Sequence, residues 1–183
     1  MKKIIVALAV LAVGFVKAQD YDYPKHEINY NILNTMLQTS VELGYEYYIN
    51  SDQSIGGDVL FNDRFSYASE GDDEKFKTSS IKASYNLYID ESGDARGWAI
   101  SPFLKYRFGN FEETEEVAGV STVVKTDMNS FIVGIGGGYK IVVKDRGTIM
   151  PFASIARNFS SEVNDRFSPV EFNAGIKIGY RFY

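Results

Sequence analysis

The sequence predicts an all-β protein: an eight-stranded antiparallel up-and-down transmembrane barrel that follows a cleaved signal peptide. Three observations predict it. The chain ends on an alternating strand, Phe172 to Tyr183. Seven further alternating segments precede that strand, joined by connections that are alternately short and long. After the leader, no apolar run is long enough to cross a bilayer as a helix, so a membrane form must be a closed sheet.

The last strand shows the pattern most clearly. Phe172, Ala174, Ile176, Ile178, Tyr180 and Phe182 share one face, while Asn173, Gly175, Lys177, Gly179, Arg181 and Tyr183 share the other. Successive side chains of a strand point to opposite sides, so one face is greasy and ringed and the other small or charged. That contrast suits a wall with lipid on one side and a polar lumen on the other.

The leader comes first in the chain. Met1-Lys2-Lys3 is basic, Ile4 to Val16 is apolar, and Ala18 precedes Gln19. These are the parts of a signal peptide, expected to cover residues 1–18 with cleavage between Ala18 and Gln19. Residues 19–26 read as a periplasmic lead-in and residues 27–183 as one barrel domain. The whole chain carries a formal charge of −5, and loss of Lys2, Lys3 and Lys17 makes the remainder more acidic. That balance opposes nucleic-acid binding. With no cysteine, there is no disulfide, thiol nucleophile or thiolate metal site.

The strands follow in order. Strand one spans about Glu27 to Leu33, strand two Thr39 to Tyr48, and strand three Ser54 to Asn62. Strand four spans Phe76 to Asp90 and strand five Trp98 to Gly109, with a bulge expected at Pro102. Strand six spans Met128 to Val143. Strand seven, about Thr148 to Phe159, has an ambiguous register. Short turns follow strands two, four and six. Long polar loops follow strands three, five and seven, at 63–75, 110–125 and 160–169. This places both termini and the short turns on the periplasmic side.

Alternation alone does not decide which face is outside. An eight-stranded interior holds only its own side chains or one small ligand, and the ringed face is too bulky for it. Aromatic residues also gather at strand ends, as in interfacial girdles. The lipid-facing set is therefore Leu43, Tyr45, Ile81, Tyr85, Leu104, Tyr106, Phe131, Val133, Ile135, Ile176 and Ile178. The lumen receives Glu42, Glu46, Asp58, Lys82, Lys105, Arg107, Lys140, Lys177 and Arg181. Such charges must be paired or hydrated.

The leader, the eight strands and the closing Gly179-Tyr180-Arg181-Phe182-Tyr183 resemble the small outer-membrane β-barrels of the OmpA-domain and OmpX type. The Lys-Lys start and the Ala18-Gln19 junction are most similar to their Bacteroidetes branch. The resemblance implies contact with outer-membrane lipid and lipopolysaccharide. It also implies recognition by the barrel-assembly machinery through Ile176, Ile178, Tyr180, Phe182 and Tyr183.

No catalytic constellation or cofactor is implied. The one histidine, His26, lies on the predicted periplasmic side, away from external loops. The Gly134-Ile135-Gly136-Gly137-Gly138 run departs from nucleotide-loop spacing and continues as a strand; its inward glycines read as letting the sheet curl. Glu112, Glu113, Glu115 and Glu116 form an acidic run and a weak metal candidate without EF-hand spacing. The expected role is non-enzymatic, structural or cell-surface interaction with a plugged interior. A narrow channel and a soluble periplasmic lipocalin-like barrel are the alternatives.

Overall fold

The computed structural model describes residues 24–38, 40–64, 74–89, 94–117 and 120–183. The expected signal peptide and its junction, the centre of the 63–75 loop and the turn at 91–93 lie outside the described residues. The strands are β1 (His26–Asn31), β2 (Val41–Tyr48), β3 (Gln53–Phe61), β4 (Glu74–Ile89), β5 (Gly97–Val117), β6 (Val120–Asp127), β7 (Ser130–Val143), β8 (Gly147–Asn158) and β9 (Val170–Phe182). Two short helices, α1 (Ile32–Gln38) and α2 (Ser161–Arg166), sit in connections.

Every pairing is antiparallel, and the sheet closes on itself. Neighbours run β1-β2-β3-β4-β5-β7-β8-β9, and β1 also pairs with β9 through Ile28↔Tyr180. β6 is the outward continuation of β7. Asn110↔Asp127 and Arg107↔Ser130 keep one register across the break at Met128 and Asn129. The barrel therefore has eight staves, and closure leaves it no free edge along the wall.

Gly109 makes that break possible. Its φ is +121°, and a Cβ there would lie 2.1 Å from the Lys77 carbonyl oxygen. Its N–H donates to Asn129 Oδ1 at 3.1 Å, while its carbonyl accepts the Met128 N–H at 3.0 Å. At the other end, Lys144 and Asp145 both have positive φ within the three-residue turn 144–146 that joins β7 to β8.

Four expectations need correction. The 110–125 loop is a hairpin, because Val117, Val120, Val123 and Val124 favour strand and Glu112 finds Lys77 and Lys125 on the neighbouring strands. Strand one stops at Asn31, whose Oδ1 accepts the Asn34 N–H at 3.3 Å and starts α1. The 160–169 connection contains α2, which inserts the fully buried Val163. Pro102 makes no bulge: β4 and β5 pair at Ser84↔Phe103 and again at Leu87↔Ile100 with no shift of register. Strand seven also acquires a register, with Thr148, Met150, Phe152, Ser154, Ala156 and Asn158 inward.

The polarity of the wall is inverted relative to a water-soluble domain. Leu43, Tyr45, Ile81, Leu104, Tyr106, Phe131, Ile135 and Ile178 are exposed, whereas Arg107 and Glu42 are 0 % exposed. On β5 the outward row from Trp98 to Phe108 carries no charge. Ten residues at about 3.3 Å each, tilted by roughly 45°, give a belt about 24 Å high.

Both ends of the lumen are stoppered. At the loop end, Phe76, Phe111, Met128 and Val163 form a buried cluster against Phe167, with the Phe76 and Phe111 rings 4.7 Å apart. At the end bearing the termini, Tyr48, Tyr88, Ala95 and Ala99 form another against Met150. Of the β7 glycines, Gly134 faces an inward aromatic ring and Gly138 faces Met150 and Phe152. A Cβ on Gly134 would lie 2.4 Å from Phe103 Cζ and 2.8 Å from the Ile155 carbonyl oxygen. Gly134→Ala is therefore expected to destabilise the barrel by about 1–3 kcal/mol, read from the urea midpoint of the vesicle-embedded protein.

Candidate functional site: a charge-balanced lumen

Inward parity on seven strands, with Asp63 just beyond β3, delivers carboxylates and cations to one narrow space. Among the described residues they form three tiers, each with two acids and two bases. The tier near the termini holds Glu27, Glu46, Lys140 and Arg181. Lys140 Nζ lies 2.7 Å from Glu46 Oε2 and 3.2 Å from Glu27 Oε2. Arg181 Nε is 3.2 Å from Glu27 Oε2, and its guanidinium also donates to the Asp94 and Ala95 carbonyls. Tyr48 donates to Glu27 at 2.5 Å, while Tyr88 and Ser54 donate to Glu46. Lys140 sits 5.2 and 5.0 Å from the Tyr48 and Tyr88 ring centres, adding cation–π attraction.

The middle tier is a closed square. Lys82 lies 2.7 Å from Glu42 and 3.1 Å from Asp58; Lys177 lies 2.5 Å from Asp58 and 3.5 Å from Glu42. Asn31 and Asn34 each donate an amide N–H to Glu42 Oε2, at 2.8 and 3.1 Å. The start of α1 is thus tied to the lumen.

The loop-end tier is another square. Arg107 grips Glu171 with two parallel bonds of 2.9 and 2.8 Å and reaches Asp63 with Nε at 2.9 Å. Lys105 lies 3.1 Å from Asp63 and 3.3 Å from Glu171. Ser80 donates to Asp63 at 2.5 Å and Asn158 to Glu171 at 3.0 Å. The planar guanidinium fork suits this bidentate geometry better than an ammonium would.

The nine charged residues assigned to the lumen all lie in these tiers. Glu27, Asp63 and Glu171 complete them and were missed. Parity could have found Glu27 and Glu171, which are in phase with Asn29 and Asn173. Asp63 follows Asn62, whose φ of +55° breaks the alternation.

Between the tiers lies a cavity of about 70 Å³, lined in part by Asn29, Asp58, Lys82, Phe103, Lys140 and Lys177. It has room for a few water molecules. The Asn29 Oδ1 is buried without a protein partner, a position that a lumenal water can satisfy.

The remaining candidates lie elsewhere. His26 sits on the outer face, its ring 5.3 Å from Phe182 and its Nδ1 2.6 Å from the Tyr45 hydroxyl. Tyr85 and Ile176 are half-buried on the outer face, and Val133, Tyr180, Phe182 and Tyr183 are exposed. Glu112 and Glu113 occupy successive positions on β5 and face opposite ways. Glu112 bridges Lys77 at 2.6 Å and Lys125 at 2.8 Å, and Glu113 meets Arg166. Hydrogen bonds from Lys125 and Lys77 hold the Glu112 carboxyl down at about 2. Glu115 and Glu116 pair along the backbone with Thr122 and Ser121. No group of three or more metal-ligating side chains occurs among the described residues.

The squares make the charges interdependent. Lys82→Met strands Glu42 and Asp58 on one remaining cation and is expected to cost about 3–5 kcal/mol. Adding Glu42→Gln removes the surplus charge and is expected to recover part of that loss. The urea midpoints of both variants in vesicles, and the coupling between the two substitutions, measure this.

No protein-family model and no curated protein sequence matches the chain. Solved structures do. The N-terminal β-barrel domain of Pseudomonas aeruginosa OprF is 10% identical, with 87% of this chain and 98% of that one covered and a TM-score of 0.50. Neisserial surface protein A is 15% identical over 86% of this chain and 92% of its own, with a TM-score of 0.44. The Yersinia pestis attachment invasion locus protein Ail, in complex with sucrose octasulfate, is 17% identical over 86% and 94%, with a TM-score of 0.45. The OprF likeness shows the fold: a closed eight-stranded antiparallel barrel of the outer-membrane kind.

Proposed function

We propose that the protein is a non-enzymatic outer-membrane barrel with a structural or surface-interaction role. It is exported by the leader cleaved after Ala18 and presents its loop end outside the cell. One observation carries this reading: exposed apolar side chains cover the wall, while six carboxylates and six cations are enclosed. A water-soluble ligand-binding barrel needs the opposite arrangement. In hydrocarbon the same wall is favourable and the closed sheet satisfies its backbone. The OmpA and OmpX resemblance, with its Bacteroidetes character, supports the same placement. The outward register of Ile178, Tyr180 and Phe182 suits recognition by the barrel-assembly machinery.

The aromatic stoppers and neutral tiers favour a plug over a conduit. Membrane fractionation with gel mobility before and after boiling tests the location. A compact unboiled band in the outer-membrane fraction supports it; recovery in the soluble periplasmic fraction overturns it. In planar bilayers the purified barrel is expected to be electrically silent. Steady unitary currents that Lys105→Gln or Arg107→Gln alters would replace the plug with a channel.

A further inference from the structure

The outward charges where β4, β5 and β6 meet tie the hairpin together and also form an exposed cluster. Lys75, Lys77, Glu112 and Lys125 all project from its outer surface. Glu112 is directly cross-strand from both Lys75 and Lys125. Lys77 and Lys125 are 57 % and 62 % exposed although both bridge Glu112. One carboxylate thus bridges two ammonium groups and neutralises one of them, with the exposed Lys75 directly across the ladder from it. Asp127, another outward acid of the hairpin, is turned to Asn129 at 2.7 and 3.0 Å.

Height gives this cluster a meaning. Phe108 ends the uncharged outward row of β5 and pairs with Ser79 on β4. Lys77 and Lys75 follow two and four residues further out, about 7 and 13 Å along the strand. They stand immediately above the apolar belt, where the phosphate headgroups of the adjoining leaflet lie. Each Lys near an anionic leaflet contributes attraction that salt screens.

We infer that Lys75, Lys77 and Lys125 form a docking site for the phosphate groups of an anionic lipid in the leaflet bordering the loop end, with Glu112 holding the Lys77 and Lys125 ammonium groups together beside Lys75. The site rests on the membrane-barrel reading above. Its occupant is a lipid and not free phosphate, because the cluster is continuous with the exposed rings of Tyr106, Phe108 and Phe131 below it. Those rings offer acyl chains a surface while the lysines hold the headgroup.

The test uses the whole protein in neutral detergent micelles doped with lipid A, a diphosphoryl glycolipid, or with its dephosphorylated form. Native mass spectrometry counts bound lipid. The protein is expected to retain the phosphorylated lipid and to lose on the order of tenfold or more of that affinity in the variant K75Q/K77Q/K125Q. K75R/K77R/K125R keeps the charge and is expected to keep the lipid, and K25Q/K144Q, at the opposite rim, is expected to leave binding unchanged. Gel mobility before boiling shows that each variant is folded. Equal retention of both lipids, an unchanged K75Q/K77Q/K125Q variant, or displacement by millimolar inorganic phosphate overturns the site while the barrel stands. Failure of the protein to enter micelles overturns the barrel itself.

Discussion

Charge neutrality in a space too narrow for bulk water is the constraint on which the molecule depends. A carboxylate or an ammonium enclosed alone costs several kcal/mol. The barrel answers by placing two acids and two bases at each of three levels. The arrangement does not rest on neighbours in sequence. Lys140 meets Glu27, and Arg181 meets Glu27 as well, so the two ends of the chain are joined by charge as well as by the β1–β9 seam. A one-residue slip of β9, which carries Glu171, Lys177 and Arg181, would leave a member of every tier unpaired. Register and electrostatics therefore enforce one another.

The rest of the interior follows from the volume these side chains require. Inward glycines on β7 and β9 accommodate Phe103, Phe152 and Met150 beside the charged tiers. Apolar clusters then close each end, one built from Phe76, Phe111 and the α2 residue Val163, the other from Tyr48, Tyr88 and Ala95. The connections are consequently more than surface ornament: α1 supplies Asn34 to the middle tier, and the β8–β9 connection supplies Val163 and Phe167 to the loop-end stopper.

Much of this was legible in the sequence because period-two alternation is a geometric property of strands. It sorted Lys105 from Leu104 and Lys177 from Ile178 without any knowledge of partners. What it could not supply was pairing. Nothing local to Glu171 says that it lies beside Arg107, and nothing local to Asp63 survives the left-handed turn at Asn62. The acidic 110–125 segment read as loop because charge resembles solvation. Its lysine partners on adjacent strands, which make it a hairpin, are visible only after folding. Conversely, Pro102 looked disruptive, yet an outward proline fits the ladder without shifting it.

The native tryptophan offers the most direct test of the inverted polarity. Trp98 is the one tryptophan in the chain and is 65 % exposed on the outer face, against Tyr139 at the rim near the termini. In reconstituted vesicles, lipids brominated near the glycerol end of the acyl chain should quench its emission strongly, and aqueous iodide should quench it weakly. Emission that lipid bromine leaves untouched while iodide extinguishes it would show the greasy wall facing water, and would contradict the account.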